Sequence, residues 1–327
     1  MKLGSLKENG QRDGVLCVVS RDLQQAVKVP QIARSLREAV ETWDQVVKPL
    51  EEIYAQLNSG KLANSFAVKE EEFHSALPRT FLFADGSAFI HHVKLVRMAR
   101  KAALPETLQT VPLMYQAESG HFLNPRETIP QIDFSHGTDF EAEVGVITDS
   151  VPMGVTPEKA LNHIILLVLI NDVSLRGLIP EELAQGFGFF QSKPTKALSP
   201  FAITPDELGE SYKQGRVHLP LTVNYNESFF GKANAGEMHF NFGQLIAHAA
   251  RTRDLAPASL IGSGTVSNEN PEMGSSCLAE KRMIEQIEKG QITTPFMKVG
   301  DTIEIKMFNE KNQNLFGTIF QKVVSKK

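Results

Sequence analysis

Apolar side chains recur at steps of three or four from Ile32 through Leu36, Val40, Trp43, Val47, Leu50 and Tyr54 to Leu57, the spacing of one helical face. Pro49 lies inside that run and predicts a kink, and Gly60 supplies a stop. Upstream, Val15-Leu16-Cys17-Val18-Val19 is short and β-branched. Ser20-Arg21-Asp22 reads as a turn, and a second short strand is expected to end before Pro30. A hairpin followed by a helix predicts a small N-terminal domain over residues 1–75, leaving residues 76–327 as a second domain.

From about Phe66 the pattern changes to short apolar runs broken by Gly, Pro and Asn. Asp139 to Val144 alternates polar and apolar residues as a half-buried strand does. Thr156 and Pro157 predict the N-cap and first residue of a short helix. That helix leads into Ile164 to Ile170, apolar on both faces and read as a buried central strand. Val217 to Val223, Ile303 to Phe308 and Phe316 to Val324 read as further strands, the last two joined by the polar loop Asn309 to Asn314. Many short strands with few short helices predict a β-rich α+β fold. A doubly wound nucleotide fold is not expected, for want of a G-x-G-x-x-G after a strand or a Walker loop.

Composition narrows the function classes. Thirty-four basic against 38 acidic residues give a net charge of −4, without the clustered basic face that nucleic-acid binding needs. The longest apolar run, Ile164 to Ile170, is far short of the ~20 residues that span a bilayer. The N-terminus lacks the apolar segment of a signal peptide. Cys17 and Cys277 are too few for a disulfide framework, so a reducing, cytoplasmic setting is expected.

Glu141 and Glu143 stand two apart in a predicted strand, on one face and about 6.8 Å apart at ~3.4 Å per residue, with Asp139 extending that face. Such a row either faces solvent or holds a hard cation such as Mg²⁺ or Ca²⁺. Asp172 follows the buried strand, where it either faces water in a turn or meets a cation. Arg176, four residues on, is placed to neutralise it or to bind a substrate carboxylate. Asp85 and His92 lie seven apart, and a histidine near neutral pKa is a natural proton acceptor. Lys193 sits in a loop after an aromatic, glycine-rich run, and Gly262 to Ser267 reads as a turn able to offer backbone N–H groups and the Thr265 hydroxyl to an anion. No nucleophile elbow is present and neither cysteine lies in a motif. Each residue alone is also consistent with a plain turn or a solvated surface.

Together they carry more. The order Asp85…His92, Glu141-x-Glu143, Asn171-Asp172-x-Ser174-x-Arg176, Lys193 and Gly264-Thr265-x-Ser267 resembles the fumarylacetoacetate hydrolase family over roughly Phe81 to Val324. Ala84 to Ala99 and Pro112 to Gln116 resemble its bacterial members. The resemblance implies a mixed β-roll with an N-terminal appendage, usually a homodimer. It implies metal ligation by Asp85, Glu141, Glu143 and Asp172, with Mg²⁺ or Ca²⁺ as cofactor. His92 is then the general base, Glu280 its partner and Lys193 the cation near the leaving carbon, while Tyr115, Arg176 and Thr265 bind substrate. The implied reaction is hydrolysis of a 2,4-diketo acid, fumarylacetoacetate to fumarate and acetoacetate, late in tyrosine and phenylalanine catabolism. Acylpyruvate hydrolysis, oxaloacetate decarboxylation and keto–enol isomerisation are the enzymatic alternatives, and an inactive ligand-binding homologue the non-enzymatic one. Ile179 stands where the animal enzyme of the family has a glutamine, so the distal end of the substrate is expected to be held differently.

Overall fold

The computed structural model describes residues 1–99 and 101–326. It is α+β and rich in sheet. The larger sheet runs in the order Phe66–Ala67, Gln25–Lys28, Gln11–Val19, Lys2–Glu8, Phe201–Ile203, Ile164–Asn171, Ala142–Thr148, Ser259–Gly262, Phe83–Gly86 and Met114–Ala117. A second sheet of five strands orders Ser228–Asn234, Pro220–Tyr225, Thr302–Met307, Ile319–Ser325 and Ile129–Gln131. Among the described residues no helix is long and apolar enough to cross a membrane.

The predicted central strand is the hub. Alternation sends Leu167 and Leu169 to one face, into a core shared with Leu221, Val223, Ile303, Ile305 and Val323 of the second sheet. Leu166, Val168 and Ile170 point the other way, into a core completed by Leu36, Val40, Leu50 and Tyr54 of the N-terminal helices. Burial on both faces explains its unbroken apolar run, because a polar side chain on either face would enter a core.

Three local expectations change. A strand at Lys2–Glu8 precedes the expected hairpin and pairs with Phe201–Ile203, so the N-terminal strands continue the large sheet. Its alternation is masked by Gly4, whose missing side chain makes room for the rings of Phe73 and Phe201. The helix does not begin at Ile32. Ser35 caps a helix at Leu36–Glu41 by accepting a hydrogen bond from Glu38 N. The break falls at Thr42, and Pro49 sits within the continuous helix Trp43–Asn58. Pro49 is the seventh residue of that helix, past the N–H groups left free at its start, so the helix forgoes one bond, to the Gln45 carbonyl, and still continues.

Candidate active site

The acidic residues occupy one end of a sheet face that is aliphatic elsewhere. Phe83 and Asp85 alternate with Ala84; Ile170 and Asp172 share another parity; Glu141 and Glu143 alternate with Phe140, Ala142 and Val144, which enter the core. Register aligns the strands: Ile170 opposes Glu143, and Gly262 is the partner of both Gly145 and Asp85. A methyl group added at Gly262 would collide with Asp85 Oδ1, so this glycine leaves the carboxylate its space.

Carboxylate oxygens of Asp85, Glu143 and Asp172 lie within 4.8 Å of one another, and all three residues are buried. Glu141 joins them through Lys193, whose Nζ donates to Glu141 Oε2 at 2.6 Å and Asp172 Oδ2 at 2.5 Å. Tyr115 donates its hydroxyl to Asp172 Oδ2 at 2.8 Å. Both oxygens of Glu143 and Oδ1 of Asp172 lack any hydrogen-bond partner among the described residues. Buried carboxylate oxygens left without a donor are costly unless a cation supplies the missing charge. Six buried acids (Asp85, Asp139, Glu141, Glu143, Asp172 and Glu280) stand against Lys193, Arg176 and Lys196. If all are ionised and His92 is neutral, three negative charges remain in excess. The donor set, all hard oxygen, fits a divalent cation of the Mg²⁺, Mn²⁺ or Ca²⁺ type.

Electrostatics divides the carboxylates. Burial, then the charge of Asp172, holds Asp85 well above the usual range, and burial with Asp85 and Asp172 does the same to Glu143. Burial also raises Glu141, but Lys193 and Arg176 outweigh it and hold this carboxyl well below its ordinary value. Burial disfavours charge on Lys193, yet Asp172 and Glu141 raise it, so the side chain stays an ammonium.

His92 lies on the helix Ile90–Ala99, and Glu280 in the first turn of Leu278–Lys289. His92 Nδ1 and Glu280 Oε1 are 2.8 Å apart, and His92 Nε2 is 3.9 Å from Glu141 Oε1. If Glu280 accepts the Nδ1 proton, the lone pair of a neutral imidazole lies at Nε2, on the carboxylate side. The second helix is anchored by Asp139. Its two oxygens accept from Leu278 N at 2.7 Å and Ala279 N at 2.9 Å, while Cys277 Sγ accepts from Glu280 N. Three of the end's free N–H groups are thereby satisfied, and Glu280 is held towards His92.

The same Asp139 accepts from Arg176 Nε at 2.8 Å, and Arg176 Nη2 donates to Glu141 Oε1 at 2.5 Å. Arg176 therefore neutralises this pair, not Asp172, and Asp139 turns away from the ligand cluster to position Arg176 and a helix end. The neutralising partner of Asp172 is Lys193, with fully buried Lys196 at 3.4 Å. Lys193 is set by its loop: Glu182 accepts N–H bonds from Phe190, Gln191 and Ser192 at 3.1, 2.5 and 3.0 Å.

These groups border a cavity of about 270 Å³ that also includes Thr265, Phe189 and Ile179. The buried Thr265 hydroxyl has no partner among the described residues. Apart from Glu280, which stands behind His92, every residue expected at the site lines this cavity or, for Asp172, contacts those that do. Sequence reasoning passed over Lys196, the space that Gly262 leaves for Asp85, and the anchoring role of Asp139. Lys196 had one available signal, a second lysine three residues after Lys193; the others depend on long-range contacts.

Residues 82–324 match the family described as Fumarylacetoacetate (FAA) hydrolase C-terminal, and residues 1–79 match Fumarylacetoacetase N-terminal domain 2. A curated relative, the 2,4-didehydro-3-deoxy-L-rhamnonate hydrolase of Sphingomonas sp. (strain SKA58), is 28% identical over 162 residues, 48% of this chain and 54% of that protein. The chain thus spans about half the length of the curated relatives it matches. Similar folds occur in maleylpyruvate hydrolase from Sphingobium sp. SYK-6 (TM-score 0.66, 13% identity) and 5-carboxymethyl-2-hydroxymuconate delta-isomerase from Mycobacterium smegmatis (TM-score 0.61, 16% identity), each covering 100% of both chains. At these identities the likeness concerns the fold.

Proposed function

The chain belongs to the fumarylacetoacetate hydrolase family, and from that premise we propose that it hydrolyses a carbon–carbon bond of a diketo acid whose two ketones flank one methylene group. Fumarylacetoacetate, cleaved to fumarate and acetoacetate, is the substrate this reading favours, with a divalent cation as cofactor. The observation that carries it is the buried carboxylate cluster with unpartnered oxygens beside a His92–Glu280 pair. The maleylpyruvate hydrolase of similar fold was also solved with manganese(II) ion and pyruvate, which supports the cofactor class.

Asp85, Glu143 and Asp172, with Glu141 beside them, would hold the cation. When bound, it supplies Lewis-acid polarisation of a carbonyl and offsets excess negative charge. His92 Nε2 takes a proton from water as the water oxygen bonds to the carbonyl carbon, and Glu280 holds the imidazolium that forms. When the carbon–carbon bond breaks, its electron pair leaves with the methylene carbon and spreads onto an enolate oxygen. The Lys193 ammonium stabilises that developing charge, and His92 returns the proton to the leaving carbon. Thr265 offers its free hydroxyl, and Tyr115 forms a wall over Lys193, with Nζ 5.5 Å from its ring centroid.

A panel containing fumarylacetoacetate, acylpyruvates, oxaloacetate and keto–enol substrates, followed by product analysis, tests the reading. Hydrolysis products are expected, lost after chelation and restored by Mg²⁺ or Mn²⁺. Turnover that survives thorough chelation, or isomerised product without carbon–carbon cleavage, refutes it. Light scattering checks the expected homodimer.

A further inference from the structure

A second cavity, of about 320 Å³, adjoins the first along Val96, Arg176 and Ile179. Its remaining walls are mainly apolar and include Pro180, Met283 and Phe296, with Arg282 among them. Arg282 stacks on Phe296, 4.1 Å from guanidinium carbon to ring centroid, and its Nη1 donates to the Thr294 carbonyl. Asp139 and Glu285 favour its charge from a distance, but among the described residues neither forms an ion pair with it, and its Nε and Nη2 make no hydrogen bond. A half-buried guanidinium held in place with two of its nitrogens unused, at an apolar cavity, can receive an anion.

The loop bearing its partners is itself fixed. Buried Glu285 accepts from Thr293 N at 2.8 Å, Thr294 N at 2.9 Å and the Thr294 hydroxyl at 2.7 Å. The stacked ring and the accepting carbonyl are therefore in place before any ligand arrives, which reduces the ordering cost of binding. At the junction Arg176 already spends its Nε and Nη2 on Asp139 and Glu141, and the side chains of Ile179 and Val96 offer no hydrogen bond, so a carbon chain suits the crossing beside them.

We propose that the second cavity is a distal subsite: the substrate is a dicarboxylate whose far carboxylate pairs with Arg282 while its intervening carbon chain lies along Ile179. This rests on reading the carboxylate cluster as the reacting end. It makes Arg282 a specificity-determining residue, outside the chemical step.

The test is calorimetric binding to the Mg²⁺-loaded protein of unbranched 2-oxo-dicarboxylates of increasing length, each against the 2-oxo-monocarboxylate of equal length. At one length the wild type is expected to prefer the dicarboxylate by about 10- to 100-fold, the span of a charge-assisted hydrogen bond. Arg282→Met should erase the preference and leave the monocarboxylate Kd unchanged, and Arg282→Lys should keep part of it. No preference at any length in the wild type, or a preference that persists in Arg282→Met, overturns the subsite. Should Arg282→Met fail to fold, Arg282→Lys with an undiminished preference and the wild-type length series each remain decisive. Binding is scored without turnover, so an Arg282-dependent preference in a protein that cleaves no diketo acid would reject the hydrolase reading and keep the subsite, and the converse result would do the opposite.

Discussion

Glu143→Gln separates the two roles that a buried carboxylate can have. Both Glu143 oxygens are unpartnered among the described residues, and its ligand atom lies within 4.8 Å of those of Asp85 and Asp172. Two unit charges at that separation repel by about 3.5 kcal/mol at an effective dielectric constant of ~20. Glu143 has two such neighbours, but burial and those charges already raise its pKa. Taking up a proton avoids most of the repulsion at ~1.4 kcal/mol per pKa unit. The metal-stripped variant should therefore be more stable than metal-stripped wild type by about 1–3 kcal/mol, the scale on which a strained buried charge is relieved by a neutral side chain of similar shape. Metal response should move the opposite way. At a free Mg²⁺ or Mn²⁺ concentration of about 100 times the wild-type Kd, the wild type gains ~2.7 kcal/mol; a Kd weakened 10- to 100-fold leaves about 1.4 to 0.4 kcal/mol of that gain. Urea unfolding at fixed pH, with and without the ion, reads both numbers, and calorimetric titration gives the Kd. A variant that loses stability when stripped, or keeps the full wild-type increment, would show that Glu143 is neither an unpaired charge nor a ligand.

Three further perturbations address other parts of the site. His92→Asn removes the base while leaving the carboxylates in place, so kcat should fall by about 10²–10⁴-fold with the ion's stabilising increment unchanged; near-wild-type kcat would exclude His92 as the base. Gly262→Ala replaces no proposed ligand yet drives a methyl group onto Asp85 Oδ1, and a titration should show the ion bound at least about tenfold more weakly; an unaltered Kd would mean that Asp85 is not needed there. For acid stability, burial raises Glu285, but hydrogen bonds from Thr294 and Thr293 prevail and hold it at about 2, against 4.5 ordinarily. A depressed folded-state pKa contributes stability that is present above the unfolded value and lost as pH falls from 4.5 towards 2. Hydrogen exchange at the Thr293 and Thr294 amides should therefore accelerate, relative to the intrinsic rate, across that window in the wild type, and this pH dependence should be absent in Glu285→Gln. Identical profiles would remove Glu285 as the loop's anchor.

What the chain determines locally was legible from its order of residues. The run Ile164 to Ile170 announces a strand buried on both faces because no polar residue interrupts it. Thr156 with Pro157 announces a helix start because the cap and the missing N–H act within one turn. Glu141 and Glu143 announce a shared face because side chains in a strand alternate, and the spacing from Asp85 to His92 could be matched as a motif. Tertiary structure alone decided which charges meet. Asp139 looked like one more member of the acidic face, yet a partner 37 residues away and a helix start 139 residues away draw it to Arg176 and Leu278. Arg176 sits four residues from Asp172 but pairs with Asp139 and Glu141, while Lys193 and Lys196 come back along a loop to neutralise Asp172. Lys2–Glu8 becomes part of the large sheet only because Phe201–Ile203 offers an edge some two hundred positions later. Periodicity and capping act between near neighbours and can be read off a string, whereas the pairing of buried charges depends on distances that exist only after the sheet has formed.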